Sequence, residues 1–270
     1  MDGLDIMQTW KDAPLPPVLE DSARTWCPSA LGPSVRRFLA RDSFLIPWLR
    51  RQGPVLSHCL QDGPFIRTVD MFRYCYLARF GGLYVDLDFY CVRSPLRLLH
   101  ERHAAVVLGS MRTPGELDSH SIPNAFMYSP AGHPFWVLVL AMAKARVAEP
   151  FIEAATGPVL LHDAVQKYSE VKDSAAALRG IRGVPEVAAA LDVGVVDPLP
   201  EVTVLPPRFF YPLSWAIPEH RREIASLSAG LHSTESRRII DGMRSSADTY
   251  AFTFWFRSWS RQTGTGNRIK

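Results

Sequence analysis

The stretch that most constrains the fold of this chain runs from Asp70 to Tyr90 and reads DMFRYCYLARFGGLYVDLDFY. Its first half is dominated by apolar and aromatic residues and predicts a helix. Thr68 offers a cap, and Asp70 falls in the first turn, where a carboxylate suits the helix dipole. Gly81-Gly82 then supplies the stop that a left-handed residue makes easy. A short buried strand, Leu83-Tyr84-Val85, follows and delivers Asp86 and Asp88 at its C-terminal end. Two carboxylates spaced by two residues point to the same side of an extended segment and can meet one cation.

Several readings fit Asp86-Leu87-Asp88 taken alone. A solvated acidic turn is one, because the triplet is common. The context raises the triplet above that reading: two glycines, a buried strand, and arrival at a strand's C-terminal end, where open α/β sheets bind ligands. The stretch also resembles the nucleophile strand of haloacid-dehalogenase-type phosphatases, yet Tyr90 stands where that pattern wants Thr or Val. A third reading is a nucleotide-sugar transferase. Its diphosphate leaving group develops negative charge that a hard divalent cation on oxygen ligands would neutralise.

Other parts of the chain bear on this choice. Among 270 residues, 47% are hydrophobic and 21% charged, a globular composition with room for one large α/β domain. The formal net charge is only +3, which does not favour nucleic acid as a partner. Cys27, Cys59, Cys75 and Cys91 form no CxxC and flank no His at metal-ligand spacing, so zinc is not expected and the thiols read as reduced. MDGLDIMQTW lacks the apolar core of a signal peptide. The apolar run Phe135–Ala143 is far short of the roughly 20 residues that span a bilayer. The expectation is a soluble cytoplasmic or otherwise intracellular protein without a transmembrane segment, compatible with peripheral membrane contact.

Along the chain, residues 3–10 predict a first strand, Ser34–Arg41 a basic amphipathic helix, and Phe44–Arg51 a second segment broken by Pro47. Past the acidic pair come a short helix over 95–102 and a strand over 104–109. A polar, turn-rich loop spans 111–123, followed by a strand over 124–129 and apolar helices after His133 and Gly157. Helical insertions over 170–192, a strand over 202–205, an extended aromatic element over 208–212 and a late aromatic strand or turn over 250–259 complete the pattern. Alternating strands and helices without a linker favour a single α/β domain over 1–262, with a frayed tail over 263–270.

The ordered motifs carry a resemblance that no single one would. Asp70-x-x-Arg73-Tyr74 followed by Gly81-Gly82-x-Tyr84-x-Asp86-x-Asp88 resembles the core of glycosyltransferase family 32, with the catalytic domains of clostridial glucosylating toxins as distant relatives. Gln8-Thr9-Trp10-Lys11 resembles the opening of that family. Asn124-Ala125-Phe126, Gly132-His133-Pro134-Phe135, Thr156-Gly157-Pro158, Phe210-Tyr211-Pro212 and Ser258-Trp259 resemble its later elements in order.

The resemblance implies a GT-A-like mixed, mostly parallel sheet flanked by helices. It also implies Mn²⁺- or Mg²⁺-dependent hexose transfer from a UDP- or GDP-sugar to a glycan, glycolipid or protein hydroxyl, with retention of configuration. Asp86 and Asp88 would hold the metal, with Asp88 the stronger ligand. Asp70, Arg73 and Asn124 would contact the donor sugar, Trp10 the nucleotide base, and Ser258 and Trp259 would close the donor site. His133 and Tyr211 read as structural. Two positions depart from the family. Met7 replaces an opening His, and Thr253–Arg257 contains neither the His nor the acid that relatives place before Ser-Trp as a metal ligand. Arg257, a bidentate phosphate binder by nature, would supply part of the missing charge as a catalytic residue. A degenerate protein that binds a nucleotide sugar without turning it over is the competing class.

Overall fold

A computed structural model describes residues 3–57 and 64–256. Six strands form one sheet in the order β2-β1-β3-β6-β5-β7, namely β2 (Val35–Arg41), β1 (Leu4–Trp10), β3 (Gly82–Val85), β6 (Phe126–Ser129), β5 (Val106–Gly109) and β7 (Val202–Leu205). Only β6 runs against the others, so the sheet is mixed and mostly parallel, as expected of a single α/β domain. A separate two-stranded ribbon pairs β4 (Phe89–Cys91) with β8 (Ala251–Thr253) in antiparallel register, Phe89 opposite Thr253.

Burial on both faces accounts for the near-continuous apolar character of the central strands. Met7, Tyr84, Val106, Leu108 and Met127 face a layer of helices, chiefly Phe65–Phe80, Pro134–Ala145, Pro158–Val171 and Val184–Leu191. Ile6, Leu83, Val85, Val107 and Phe126 face the opposite side, where Trp26, Phe89, Leu98 and Phe210 cover them. The alternation is the period of two that an extended strand imposes. A third apolar cluster joins helices Pro17–Arg24, Pro218–Ala229 and Thr234–Ser245 through Leu19, Leu227, Ile240, Phe252 and Phe254.

Four sequence expectations change. Ser34–Arg41 is the edge strand β2, not a helix, because seven consecutive residues pair with β1 in parallel register and burial alternates along them. Its short basic pattern fits either period, and pairing decides. Helix Phe65–Phe80 begins earlier than the Thr68 cap implied, with Pro64 at its N-cap, so Asp70 and Arg73 lie in its middle rather than its first turn. Residues 207–210 form a short helix begun by Pro207, not an extended element. Pro47 is accommodated inside helix Asp42–Arg51. The loop over 111–123 carries a 3₁₀ turn at Pro114–Glu116 and a Ser121 hydroxyl that donates to Asp118 at 2.7 Å. Cys27 and Cys91 are thiols. Cys59, the tail over 263–270, and Arg257, Ser258 and Trp259 lie outside the described residues.

Candidate active site

Helix Phe65–Phe80 runs back along the sheet and hands the chain to β3 through Gly81 and Gly82, at φ +67° and +91°. A Cβ on Gly82 would stand 2.5 Å from the Asp5 carbonyl oxygen, so close passage past β1 requires glycine there. Strand β3 then ends at the carboxyl edge of the sheet. The Asp86 N–H donates to Ala125 O at 2.9 Å, which prolongs the ladder by one bond and fixes where the first carboxylate emerges.

Behind that edge lies a buried polar network. Asp70 and Arg73, one helical turn apart, are 3% and 4% exposed, so their pairing is internal rather than a surface salt bridge. Arg73 Nη2 stands 3.6 Å from Asp70 Oδ1, and its Nη1 stands 3.6 Å from Asp86 Oδ1. Nη1 also donates to the Asn124 carbonyl at 2.6 Å, while the guanidinium lies over the Tyr84 ring, 4.4 Å from its centroid. Arg73 Nε is buried with no hydrogen-bond partner among the described residues. Asp70 spends both oxygens internally: Oδ1 accepts from Asn124 Nδ2 at 2.9 Å and Oδ2 from the Thr156 hydroxyl at 2.8 Å. Burial pushes Asp70 up to about 6, and Arg73, Thr156 and Asn124 hold it from rising further. Asn124 Nδ2 also donates to the Tyr74 hydroxyl, which in turn donates to Thr156 O.

Asp86 is the member of this network that reaches water, its side chain 35% exposed. The Tyr84 hydroxyl donates to its Oδ1 at 2.6 Å, and the Thr9 hydroxyl on β1 backs Tyr84 at 3.0 Å. One oxygen of Asp86 is therefore oriented from two sides. Asp88 is half-buried and held by a different element. Its Oδ2 accepts from Phe256 N–H at 2.7 Å, and its carbonyl accepts from Phe254 N–H at 3.1 Å. The segment after β8 thus clasps Asp88, with Trp255 at φ +52° and its indole donating to Leu213 O. Burial, and next the charge of Asp86, push Asp88 up to about 7, against the Phe256 N–H and the Thr253 hydroxyl. Such a carboxylate gains from a cation beside it.

The structure brings together Asp70, Arg73, Asn124 and Asp86, with Asp88 two residues on. Trp10 is only 8% exposed and packs in the cluster that contains Leu87, the residue between the two carboxylates. Thr9, Tyr84, Tyr74 and Thr156 enter the network with roles that reading motif by motif did not assign. All four lie inside quoted motifs, which was the available signal. Tyr211 proves to be near the acids as well, because Asp86 and Asp88 add to burial in raising its hydroxyl. Gly109, at the end of β5, leaves room for it: a Cβ there would lie 2.6 Å from the Tyr211 ring.

No group of three His, Cys, Asp or Glu side chains placed to hold a metal exists among the described residues. The two carboxylates nonetheless fit Mg²⁺ or Mn²⁺. Such ions take hard oxygen ligands and are commonly held by one or two carboxylates, with substrate phosphates and water completing the shell.

Comparison with known proteins agrees with this chemistry. Residues 57–105 match the family model described as a glycosyltransferase sugar-binding region containing a DXD motif. No curated protein matches the chain. Among solved structures, the PaToxG glycosyltransferase superposes with a TM-score of 0.43 at 13% identity, over 93% of this chain and 89% of that one. That is a loose likeness of outline from which no residue is transferred. The family match covers the stretch that holds the helix, the glycine pair and both carboxylates, and it makes that stretch the sugar-binding region of a glycosyltransferase, with Asp86-Leu87-Asp88 as its DXD motif.

Proposed function

We propose that the protein transfers a hexose from a UDP- or GDP-sugar to an acceptor hydroxyl, that Mn²⁺ or Mg²⁺ held by Asp86 and Asp88 is required, and that configuration is retained. The observation that carries this reading is the delivery of both carboxylates at the end of β3, inside the matched sugar-binding region, with Asp86 oriented by Arg73 and Tyr84.

When bound, the metal would neutralise charge developing on the leaving diphosphate. The chain's own residues supply position. Asp86 presents one oriented oxygen, and Asp88 presents the oxygen not engaged by Phe256 N–H. Asn124, at the mouth of the network, would reach a donor hydroxyl. Asp70 and Arg73 act from beneath, since their polar atoms are already engaged with Asn124, Thr156 and Asp86. Trp10 would lie against the base with the small uncovered part of its ring. Asp70 is the nearest other carboxylate in the network, and its buried, hydrogen-bonded state suits it poorly to act as a covalent nucleophile. A front-face transfer fits best: the sugar–phosphate bond breaks, the bond to the acceptor oxygen forms on the same face, and the acceptor's proton passes to the leaving phosphate. Arg257, Ser258 and Trp259 would close the donor side. A glycan, a glycolipid and a protein each offer such a hydroxyl.

The test is donor hydrolysis with Mn²⁺ across a panel of UDP- and GDP-sugars, comparing wild type with Asp88→Asn. Metal-dependent cleavage that falls by about 100-fold or more in the variant is expected. Tight donor binding without cleavage in either protein would make this a binding module. Release of inorganic phosphate from a simple ester would make it a phosphatase.

A further inference from the structure

The flank formed by the edge strand β2 and the helices Asp42–Arg51 and Phe65–Phe80 carries aromatic side chains that the core does not take in. Phe44 is 45% and Phe80 51% exposed, and half-buried Trp48 lies between them. The exposed rings are linked through Phe72, which is itself buried in the core beneath them. Phe44 lies 6.2 Å from Phe72, Trp48 lies 5.0 Å from Phe72 and 6.2 Å from Phe80, and Tyr76 lies 5.3 Å from Phe80. Isolated exposed phenylalanines are ordinary, but two exposed phenylalanines with a half-buried tryptophan between them on one flank are not.

Charge around these rings selects their partner. Residues 34–52 contain five arginines and a single acid. Arg50 and Arg51 are exposed at the end of helix Asp42–Arg51, and exposed Arg79, beside Phe80, reaches across to Gln52 at 2.9 Å. Arg36 on β2 is exposed too, but Asp5 pairs with it at 2.6 Å, and a charge on an edge strand also serves to block strand pairing. Arg50 and Arg51 have no acid partner among the described ion pairs. A second copy of this chain seated symmetrically on the rings would bring these arginines against themselves, which like charges oppose. An anionic bilayer meets both needs, because aromatic rings settle among headgroups while arginines reach lipid phosphates.

We propose that this flank is a membrane-docking surface for anionic lipid. Phe44, Trp48 and Phe80 enter the headgroup layer, and Arg50, Arg51 and Arg79 bind the phosphates around them. The inference is independent of the donor chemistry at Asp86 and Asp88.

Co-sedimentation with phosphatidylcholine vesicles, and with vesicles that also contain phosphatidylserine, tests it. Binding is expected only to the anionic vesicles and weakens as salt is raised. Phe44→Glu/Phe80→Glu and Arg50→Glu/Arg51→Glu should each reduce the bound fraction by about tenfold. Phe151→Glu, at a residue 69% exposed elsewhere, should not change it. Circular dichroism confirms that each variant is folded, and single substitutions at Phe80 and Arg51 replace any pair that is not. The proposal is overturned if wild type fails to sediment with anionic vesicles, binds neutral vesicles equally well, or binds unchanged in the variants.

Discussion

Arg73 shows most directly what the buried network costs and gives. Among the described residues it is the one cation in reach of both Asp70 and Asp86, and it also satisfies the Asn124 carbonyl. Replacing it by Met would keep the volume but strand that carbonyl, at about 1–3 kcal/mol for a buried unpaired acceptor. Asp70 would limit its own share by taking up a proton. With a value near 6 it is already close to neutralising, so at pH 7 the extra cost is on the order of 1 kcal/mol. Arg73→Met should therefore lower the unfolding free energy by about 3 kcal/mol at pH 7, and by less at pH 5.5, where Asp70 is largely protonated in both proteins. Urea titrations at the two pH values check this. A loss below about 1 kcal/mol, or one that grows on acidification, would contradict the network's role. Much of this residue-level picture was legible in the sequence. Asp70, Arg73, Asn124, Asp86 and Asp88 stood out by motif, and all but Asp88 meet directly. What was hidden is who holds whom. Thr156 is 86 residues from the Asp70 it caps, and the backbone N–H of Phe256 carries no side-chain signature at all.

At the scale of elements, the glycine pair does more than end a helix. Gly82 starts β3 at positive φ while pressed against Asp5 of β1, so it sets the depth at which Asp86 emerges. Gly82→Ala should destabilise by about 3 kcal/mol, from the strained φ together with a contact that only backbone can relieve. Gly242, inside helix Thr234–Ser245 with open space around its Cα, is the matched control. Gly242→Ala should stabilise by about 0.5–1 kcal/mol, because alanine is the better helix former. Thermal midpoints moving in opposite directions are the expected result, and a Gly82→Ala protein as stable as wild type would refute the register argument. The sequence revealed the glycines but not this reason for them. It also mistook β2 for a helix, since a seven-residue segment of mixed arginine and apolar residues fits either period until its pairing partner is known. Residues 208–212, read as an extended aromatic element, instead begin inside a short helix that Pro206 and Pro207 open.

For the molecule as a whole, stability against acid turns on a group far from the carboxylates. His133 caps helix Pro134–Ala145 by accepting the Phe135 N–H on Nδ1, and its Nε2 lies 3.2 Å from Glu201 O just before β7. It thereby ties an apolar helix to the last strand of the sheet; with its proton on Nε2 the neutral ring makes both contacts, and protonation of Nδ1 removes the cap. Burial pulls His133 down to about 4, with the Glu201 carbonyl opposing, from 6.5 in the unfolded chain. Between these values the unfolded chain binds more protons than the folded one, so folding stability rises with pH across the window. Lowering the pH from 7 toward 4 should accordingly remove roughly 3 kcal/mol through this residue alone. His133→Asn keeps a capping oxygen but cannot titrate. The variant should be less stable at pH 7, and its deficit relative to wild type should shrink as the pH falls from 6.5 to 4, because only wild type loses the His133 contribution there; above pH 7 the difference should stay constant. If the two denaturation profiles ran parallel through the window, His133 would not be the group that couples the sheet to acid.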